Sequence, residues 1–171
     1  MSDFRILGPD RCLELILAWA EADWPISWAQ AFYIAELLGW RSATESPMRF
    51  HSELSKGEAD CGFGELRGGV GDVDFPLSGR ATNCNRIETE RKIIALAAEV
   101  EALLTARYGA PQKSTTRRGV NSTKWQLDSG LSIDVFYGSN VIHVIIASPA
   151  QNRLLATAQA YLEEDGESEE L

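Results

Sequence analysis

The hydrophobic repeat of this chain changes period several times, and this feature most limits what it can fold into. Apolar residues recur every three to four positions in residues 10–38, as in amphipathic helices. They alternate in residues 48–77, return to a helical repeat in 85–108 and alternate again in 125–147. A last helical repeat follows. The pattern predicts an α+β domain with the order ααβββαβββα, in which helices pack on one antiparallel sheet.

The first two helices have clear boundaries. The first runs from about Asp10 to Ala22 and ends ahead of Trp24-Pro25, because the residue before proline avoids helical angles. The second begins with a capping box, in which Ser27 is the N-cap and Gln30 its reciprocal partner, and ends at Gly39. Its apolar side is predicted to hold Phe32, Ile34, Ala35, Leu37 and Leu38.

The alternating segments predict two groups of three strands. Strands in 48–54, 61–65 and 73–77 are joined by tight turns and form an antiparallel meander with one polar face. In 141–147, the run VIHVII is apolar on both faces and predicts a central strand with both faces covered.

The remaining helices frame the second group of strands. A long helix is predicted from Asn85, its N-cap, to Tyr108, and Ser148-Pro149 begins a closing helix. Residues 163–171 hold six acids and no base, which predicts a disordered acidic tail. We therefore expect a single domain over 1–162 and a tail over 163–171.

Charge and cysteine usage limit the partners and the compartment. The net charge of −9 disfavours a nucleic-acid partner, because phosphate neutralisation needs a basic surface. The first residues do not resemble a signal peptide, and no apolar run is long enough to span a membrane. Cys12, Cys61 and Cys84 form no CxxC pair and read as reduced thiols. We expect a cytoplasmic protein that binds neither nucleic acid nor membrane.

Metal and thiol chemistry find little support in the sequence. The cysteines and histidines have no metal-ligand spacing, so no metal site and no cofactor is predicted. His51 and Cys61 lie on neighbouring strands, but pleat alternation points their side chains to opposite faces. His143 lies among apolar residues and reads as a hydrogen-bonded core histidine.

Asp72 and Asp74 are the other candidates for catalysis. Their spacing places both carboxylates on one strand face, where a pair can hold a cation or share a proton. A solvated sheet face is the more common meaning of this spacing, and the sequence ties no histidine to the pair. An enzyme that uses Cys61 or this pair is therefore the least favoured interpretation, and we expect no enzymatic activity.

Charge segregation and tryptophans favour a protein partner instead. Residues 1–80 hold 13 acids and 7 bases, and several of the acids crowd into the meander. Core packing is the common role of the N-terminal tryptophans, but one beside a turn can anchor a partner. The predicted partner-binding residues are Glu53, Asp60, Glu65, Asp72, Asp74 and Trp28.

A family resemblance agrees with this expectation. A Trp-rich helix running from Trp24 to Leu38-Gly39-Trp40 precedes the meander, and Tyr108-Gly-Ala-Pro111 precedes the second group of strands. The predicted order of helices and strands, the small size and the acidic composition resemble the superfamily that unites type III secretion chaperones with YbjN-like proteins. The chain is also similar to actinobacterial immunity-type proteins of polymorphic toxin systems.

The resemblance implies one of two binding roles. As an immunity-type protein, the chain would bind a cognate toxin and occlude its active site without chemistry of its own. The alternative is a dimeric secretion chaperone that holds an extended effector segment against its sheet. The resemblance carries over no catalytic residue, and it leaves a homodimer open.

Overall fold

The computed structural model describes residues 4–81 and 86–167, which form four helices and eight strands. The helices are α1 (Pro9–Ala20), α2 (Trp28–Leu37), α3 (Arg86–Tyr108) and α4 (Pro149–Glu167). The strands are β1 (Arg41–Ser42), β2 (Arg49–His51), β3 (Cys61–Leu66), β4 (Gly69–Pro76), β5 (Gln112–Thr115), β6 (Asn121–Gln126), β7 (Ser132–Tyr137) and β8 (Ile142–Ala147). None of the helices in these two ranges is long and apolar enough to cross a membrane.

All eight strands belong to one antiparallel sheet in the order β1-β2-β3-β4-β8-β7-β6-β5. The predicted fold class, an antiparallel sheet with helices packed on it, is confirmed. The sheet has two strands more than predicted, and both are edge strands. β1 has only two residues, and all four residues of β5 are exposed, so neither carries an alternating apolar pattern.

The helix signals in the sequence mark the helix ends closely. The backbone N–H of Gln30 donates to Ser27 Oγ over 3.1 Å, and the N–H of Ser27 donates to Gln30 Oε1 over 2.9 Å. Gly39 follows α2 with a φ of +82°, which favours glycine. α1 ends at Ala20, two residues before its predicted end. The predicted cap Asn85 lies outside the described residues.

One face of the sheet carries the core. Val73, Phe75, Val144 and Ile146 lie on this face and are fully buried. The first three helices cover it, as shown by the edge-to-face contact of Trp19 with Phe63 and by the contacts of α2 with β4 and of α3 with β7. Trp19 and Trp40 are buried in an aromatic cluster, as core packing of the tryptophans predicts.

The opposite face, which we call the open face, carries Arg49, Asp72, Asp74, Asp134 and His143. Within the two described ranges, only the first turn of α4 bonds to it, through contacts of Gln151 with Asp72 and of Asn152 with Ser132. The prediction that β8 is covered on both faces is therefore wrong. β8 is central, but His143 and its neighbour Ile145 stay partly exposed on the open face.

The helix α4 leaves the body of the domain. Ser148 caps it, since the N–H of Gln151 donates to Ser148 Oγ over 3.1 Å. Every residue from Arg153 to Asp165 is exposed. The helix continues to Glu167 and so includes the first five residues of the predicted disordered tail, while 168–171 lie outside the described residues.

Candidate functional site

The six predicted partner-binding residues lie in three separate places. The first place is the loop between β2 and β3, which holds Glu53 and Asp60. Glu53 accepts a hydrogen bond from Arg11 Nε over 2.8 Å. Asp60 accepts from the backbone N–H and the hydroxyl of Ser52, over 2.7 and 2.6 Å. Both carboxylates are therefore held by groups of their own chain.

The second place is the open face. Asp74 accepts from Arg49 Nη1 over 2.9 Å, and its other oxygen lies 3.2 Å from His143 Nε2. Asp72 accepts from Gln151 Nε2 over 2.8 Å. The sequence tied no histidine to this pair, and it read His143 as a core residue. Both interpretations are wrong, because β8 pairs with β4 and brings His143 beside Asp74 on a half-exposed face.

The third place is the β3–β4 hairpin. Trp28 on α2 donates its indole N–H to the carbonyl of Gly68 over 2.9 Å, and its ring lies 6.3 Å from that of Phe63. Trp28 thus fastens α2 to the hairpin and is only partly exposed. Glu65, on β3, is exposed and has no bonded partner among the described residues. Of the five predicted carboxylates, only this one is free for a partner.

The thiols are poorly placed for nucleophilic chemistry. Cys61 is fully buried opposite Phe50, and burial raises the pKa of its thiol well above the ordinary value. His51, the next residue after Phe50, points to the other side, as predicted, and contacts Ser55 Oγ over 2.7 Å. Burial also raises the pKa of Cys12, to about 12. Residues 4–81 and 86–167 contain no group of three potential metal ligands.

The sequence did not single out the surface between the first two helices. A groove of about 300 Å³ lies there, which we call the α1–α2 groove. Its lining is mostly apolar with acids among it, and consists of Leu17, Ala18, Glu21, Ala22, Asp23, Ile26, Gln30, Tyr33 and Ile34. Tyr33 is 62% exposed, and Leu37, one turn further along α2, is 68% exposed.

The acids of the groove differ in their partners. Glu21 forms an ion pair with Arg107 on α3, whose Nε donates to it over 2.7 Å. Asp23 is exposed and has no bonded partner among the described residues. An apolar groove beside an unpaired carboxylate suits a basic protein surface with an apolar side chain at its centre.

A signal for this surface is present in the sequence. Phe32, Tyr33 and Ile34 are consecutive, and Leu37 and Leu38 follow, so α2 is apolar on more than one side. The prediction placed Leu37 on the buried side, although only Ala31 and Ala35 are buried within the helix. A short helix with two apolar sides cannot bury both against one sheet. The excess apolar surface is what remains exposed.

Comparison with known protein families gives a match over most of the chain. Residues 10–148 match a family described as "Family of unknown function (DUF6301)". The matched segment ends at Ser148, the residue before α4. No curated protein matches the chain, and no solved structure does.

Proposed function

The chain belongs to the DUF6301 family of unknown function, and from its surface we propose that it is an immunity-type protein that binds a cognate toxin and blocks its active site. The observation that carries this proposal is the α1–α2 groove, which is lined by exposed Tyr33 and by Asp23, a carboxylate without a bonded partner among the described residues, with exposed Leu37 one turn beyond Tyr33 on α2. Partner-binding surfaces commonly combine such an aromatic anchor with charged residues around it.

The charge of this region indicates the chemistry of the partner. Residues 1–80 hold 13 acids and 7 bases, whereas residues 81–162 hold more bases than acids. Asp23 and Glu65 are exposed within residues 1–80 and have no bonded partners among the described residues. Acidic groups at the rim of an interface speed association with a basic surface and contribute less to affinity than the buried centre. We therefore expect a basic toxin domain, with Tyr33 and Leu37 at the centre of the contact.

The positions of the reactive groups also favour binding. Cys61 is buried with a raised thiol pKa, so a thiolate is strongly disfavoured there. Asp72 and Asp74 each bond to side chains of the fold, which accounts for them without a substrate. An enzyme that uses these groups would need Cys61 to reach solvent, or Asp72 and Asp74 to give up these bonds.

One observation favours the second candidate, a secretion chaperone. All four residues of the edge strand β5 are exposed, and its outer side is unpaired in the described sheet. An extended effector segment could add there as a further strand. This candidate predicts contacts along Gln112–Thr115 and none in the α1–α2 groove.

Co-expression with the protein encoded by the neighbouring reading frame tests the proposal. We expect the two proteins to copurify. Cells that express both should grow, whereas cells that express only the neighbouring protein should not. Tyr33→Ala and Asp23→Lys should weaken the complex. Removing an anchor of this kind typically costs about 2 kcal/mol or more, a loss in affinity of roughly thirty-fold.

Two control variants match these changes elsewhere on the surface. Tyr161 on α4 is 67% exposed, close to the value for Tyr33, and Asp128 is exposed in the β6–β7 turn. Tyr161→Ala and Asp128→Lys should leave toxin binding unchanged. If Tyr33→Ala and Asp23→Lys leave the affinity of the complex unchanged, the interface does not lie at the groove. If the protein encoded by the neighbouring reading frame neither binds the chain nor is toxic to cells, the immunity role is refuted.

A further inference from the structure

A cavity of about 470 Å³, which we call the turn cavity, lies between α3 and two turns of the sheet, the β5–β6 turn and the β7–β8 turn. The lining residues that offer charge, hydrogen bonds or apolar surface are Glu90, Ile94, Arg118, Val120, Tyr137 and Asn140. Tyr137 shares a strand face with buried Val135, so the cavity lies on the helix side of the sheet. Its volume is within the range of roughly 300 to 1,000 Å³ that is typical of small-molecule sites.

The two turns that border the cavity are closed by hydrogen bonds of their own chain. In the β5–β6 turn, the backbone N–H of Gly119 donates to the carbonyl of Thr116 over 3.0 Å, and that of Val120 donates to Thr116 Oγ1 over 3.2 Å. Gly119 has a φ of +79°, which favours glycine. In the β7–β8 turn, the N–H of Gly138 donates to the carbonyl of Val141 over 3.2 Å. Both walls are therefore formed without a bound molecule, as is usual for small-molecule sites.

The charged and polar side chains of the cavity are left without partners by the fold. Glu90, Arg118, the hydroxyl of Tyr137 and the side-chain amide of Asn140 form no hydrogen bond or ion pair within residues 4–81 and 86–167. The open face differs, because Asp74 is bonded there to side chains of neighbouring strands. The unpaired groups of the turn cavity are available to a ligand.

The two charges and the apolar lining indicate the class of ligand. A guanidinium such as that of Arg118 binds a carboxylate through two parallel hydrogen bonds, and the carboxylate of Glu90 accepts hydrogen bonds from an ammonium group. Glu90 repels a simple anion and Arg118 repels a simple cation, whereas a zwitterion is attracted by both. Ile94 is 50% and Val120 is 38% exposed, which offers apolar surface to the rest of the ligand.

We propose that the turn cavity binds a small apolar zwitterion of the amino-acid class. The carboxylate of the ligand binds Arg118 and its ammonium group binds Glu90, while its side chain packs against Ile94 and Val120. This site does not rest on the proposed toxin binding. Among the described residues, the turn cavity and the α1–α2 groove share no lining residue.

NMR titration of the full-length chain tests which charges the ligand needs. Phenylalanine and leucine carry both charges, 3-phenylpropanoate lacks the ammonium group and 2-phenylethylamine lacks the carboxylate. For ligands of this size we expect a dissociation constant between roughly 10 μM and 1 mM. Each single-charge analogue should bind at least about ten-fold more weakly than phenylalanine, because it leaves Glu90 or Arg118 without a partner.

Two results of this titration would overturn the proposal. One is the absence of binding by both amino acids up to about 10 mM, well above the expected dissociation constant. The other is equal binding of phenylalanine and its two analogues, which would show that the site does not read the two charges.

Matched variants test the position of the site. Arg118→Gln should weaken phenylalanine binding at least about ten-fold and leave the affinity for 2-phenylethylamine unchanged, because the amine has no carboxylate. Glu90→Gln should weaken phenylalanine binding and leave that of 3-phenylpropanoate no weaker. Arg117→Gln and Glu99→Gln remove the same charges just outside the lining and should change nothing. Circular dichroism verifies the fold of each variant, and full affinity in both cavity variants would overturn the assignment.

The amino-acid site and the proposed toxin complex can fail separately. Arg118→Gln and Glu90→Gln should leave toxin binding intact, and Tyr33→Ala should leave phenylalanine binding intact. A chain that binds the toxin but neither amino acid removes only this inference. A chain that binds phenylalanine but no toxin removes only the immunity role.

Discussion

At the scale of single residues, the chain places its reactive groups where the fold uses them. Asp74 links strands that are far apart in the sequence, since it accepts a hydrogen bond from Arg49 on β2 and contacts His143 on β8. The two described cysteines, Cys12 and Cys61, are fully buried. From the sequence, Asp74 and Cys61 were candidates for catalysis. In the structure, Asp74 is bonded to side chains of the fold and Cys61 is shielded from solvent.

The thiols give the first prediction. In a Cys84→Ser background, Cys12 and Cys61 should react with a disulfide reagent at pH 8 only after unfolding, because burial raises both thiol pKa values, that of Cys12 to about 12. Absorbance of the released thiolate, with and without urea, measures this. If the folded chain reacts as fast as free cysteine, the hypothesis of an enzyme that uses Cys61 would again be supported.

The second prediction concerns Asp134. Desolvation raises the pKa of this half-buried carboxyl, against the lowering effects of the Ser122 hydroxyl, 2.6 Å away, and of Lys124. A raised folded-state pKa means that the charged form destabilises the fold above that pKa. Asp134→Asn should therefore raise the free energy of unfolding at pH 7, by less than about 1 kcal/mol because the group stays partly solvated.

The pH dependence of this gain identifies its cause. The advantage of Asp134→Asn should shrink as the pH falls through the folded-state pKa and vanish below the unfolded value of 3.8. Urea unfolding of both chains across this range measures it, with Asp128→Asn, an exposed turn position, as the control. A gain that is constant with pH would indicate a packing effect instead of desolvation.

At the scale of elements, the sequence predicts what local chemistry determines. The capping box of α2, the turn at Gly39 and the Ser148 cap of α4 are all present, because each depends on residues within a few positions of one another. The edge strands β1 and β5 were not predicted, because all their residues are exposed and they show no alternation of apolar and polar residues. The burial of the second face of β8 was also wrong, because it depends on whether a distant helix covers it.

The capping box gives the third prediction. Ser27→Ala should lower the free energy of unfolding by about 1 kcal/mol, since the N–H of Gln30 loses its acceptor. Ser114→Ala, on the exposed strand β5, removes the same hydroxyl where no bond is described and should cost almost nothing. Equal losses in urea unfolding would show that the cap does not set the stability of α2.

At the scale of the whole molecule, the chain presents two unlike surfaces on opposite sides of its sheet. The helix side carries the α1–α2 groove, and the open face carries the paired charges around Asp74. The predicted contacts scatter over both because the sequence cannot show which acids find partners within the fold. Trp28 and four of the five predicted carboxylates bond within the chain, so only Glu65 remains available from the predicted partner-binding residues. The structure adds Tyr33, Leu37 and Asp23 as candidate contacts.

Amide hydrogen exchange of the chain, alone and with the protein encoded by the neighbouring reading frame, tests the central claim most directly. The proposed immunity role predicts slowed exchange in residues 17–37, which include the lining of the α1–α2 groove, with α4 and β5 unchanged by the toxin. Protection confined to Gln112–Thr115 would support the chaperone instead. Unchanged exchange throughout the chain would contradict the proposed function.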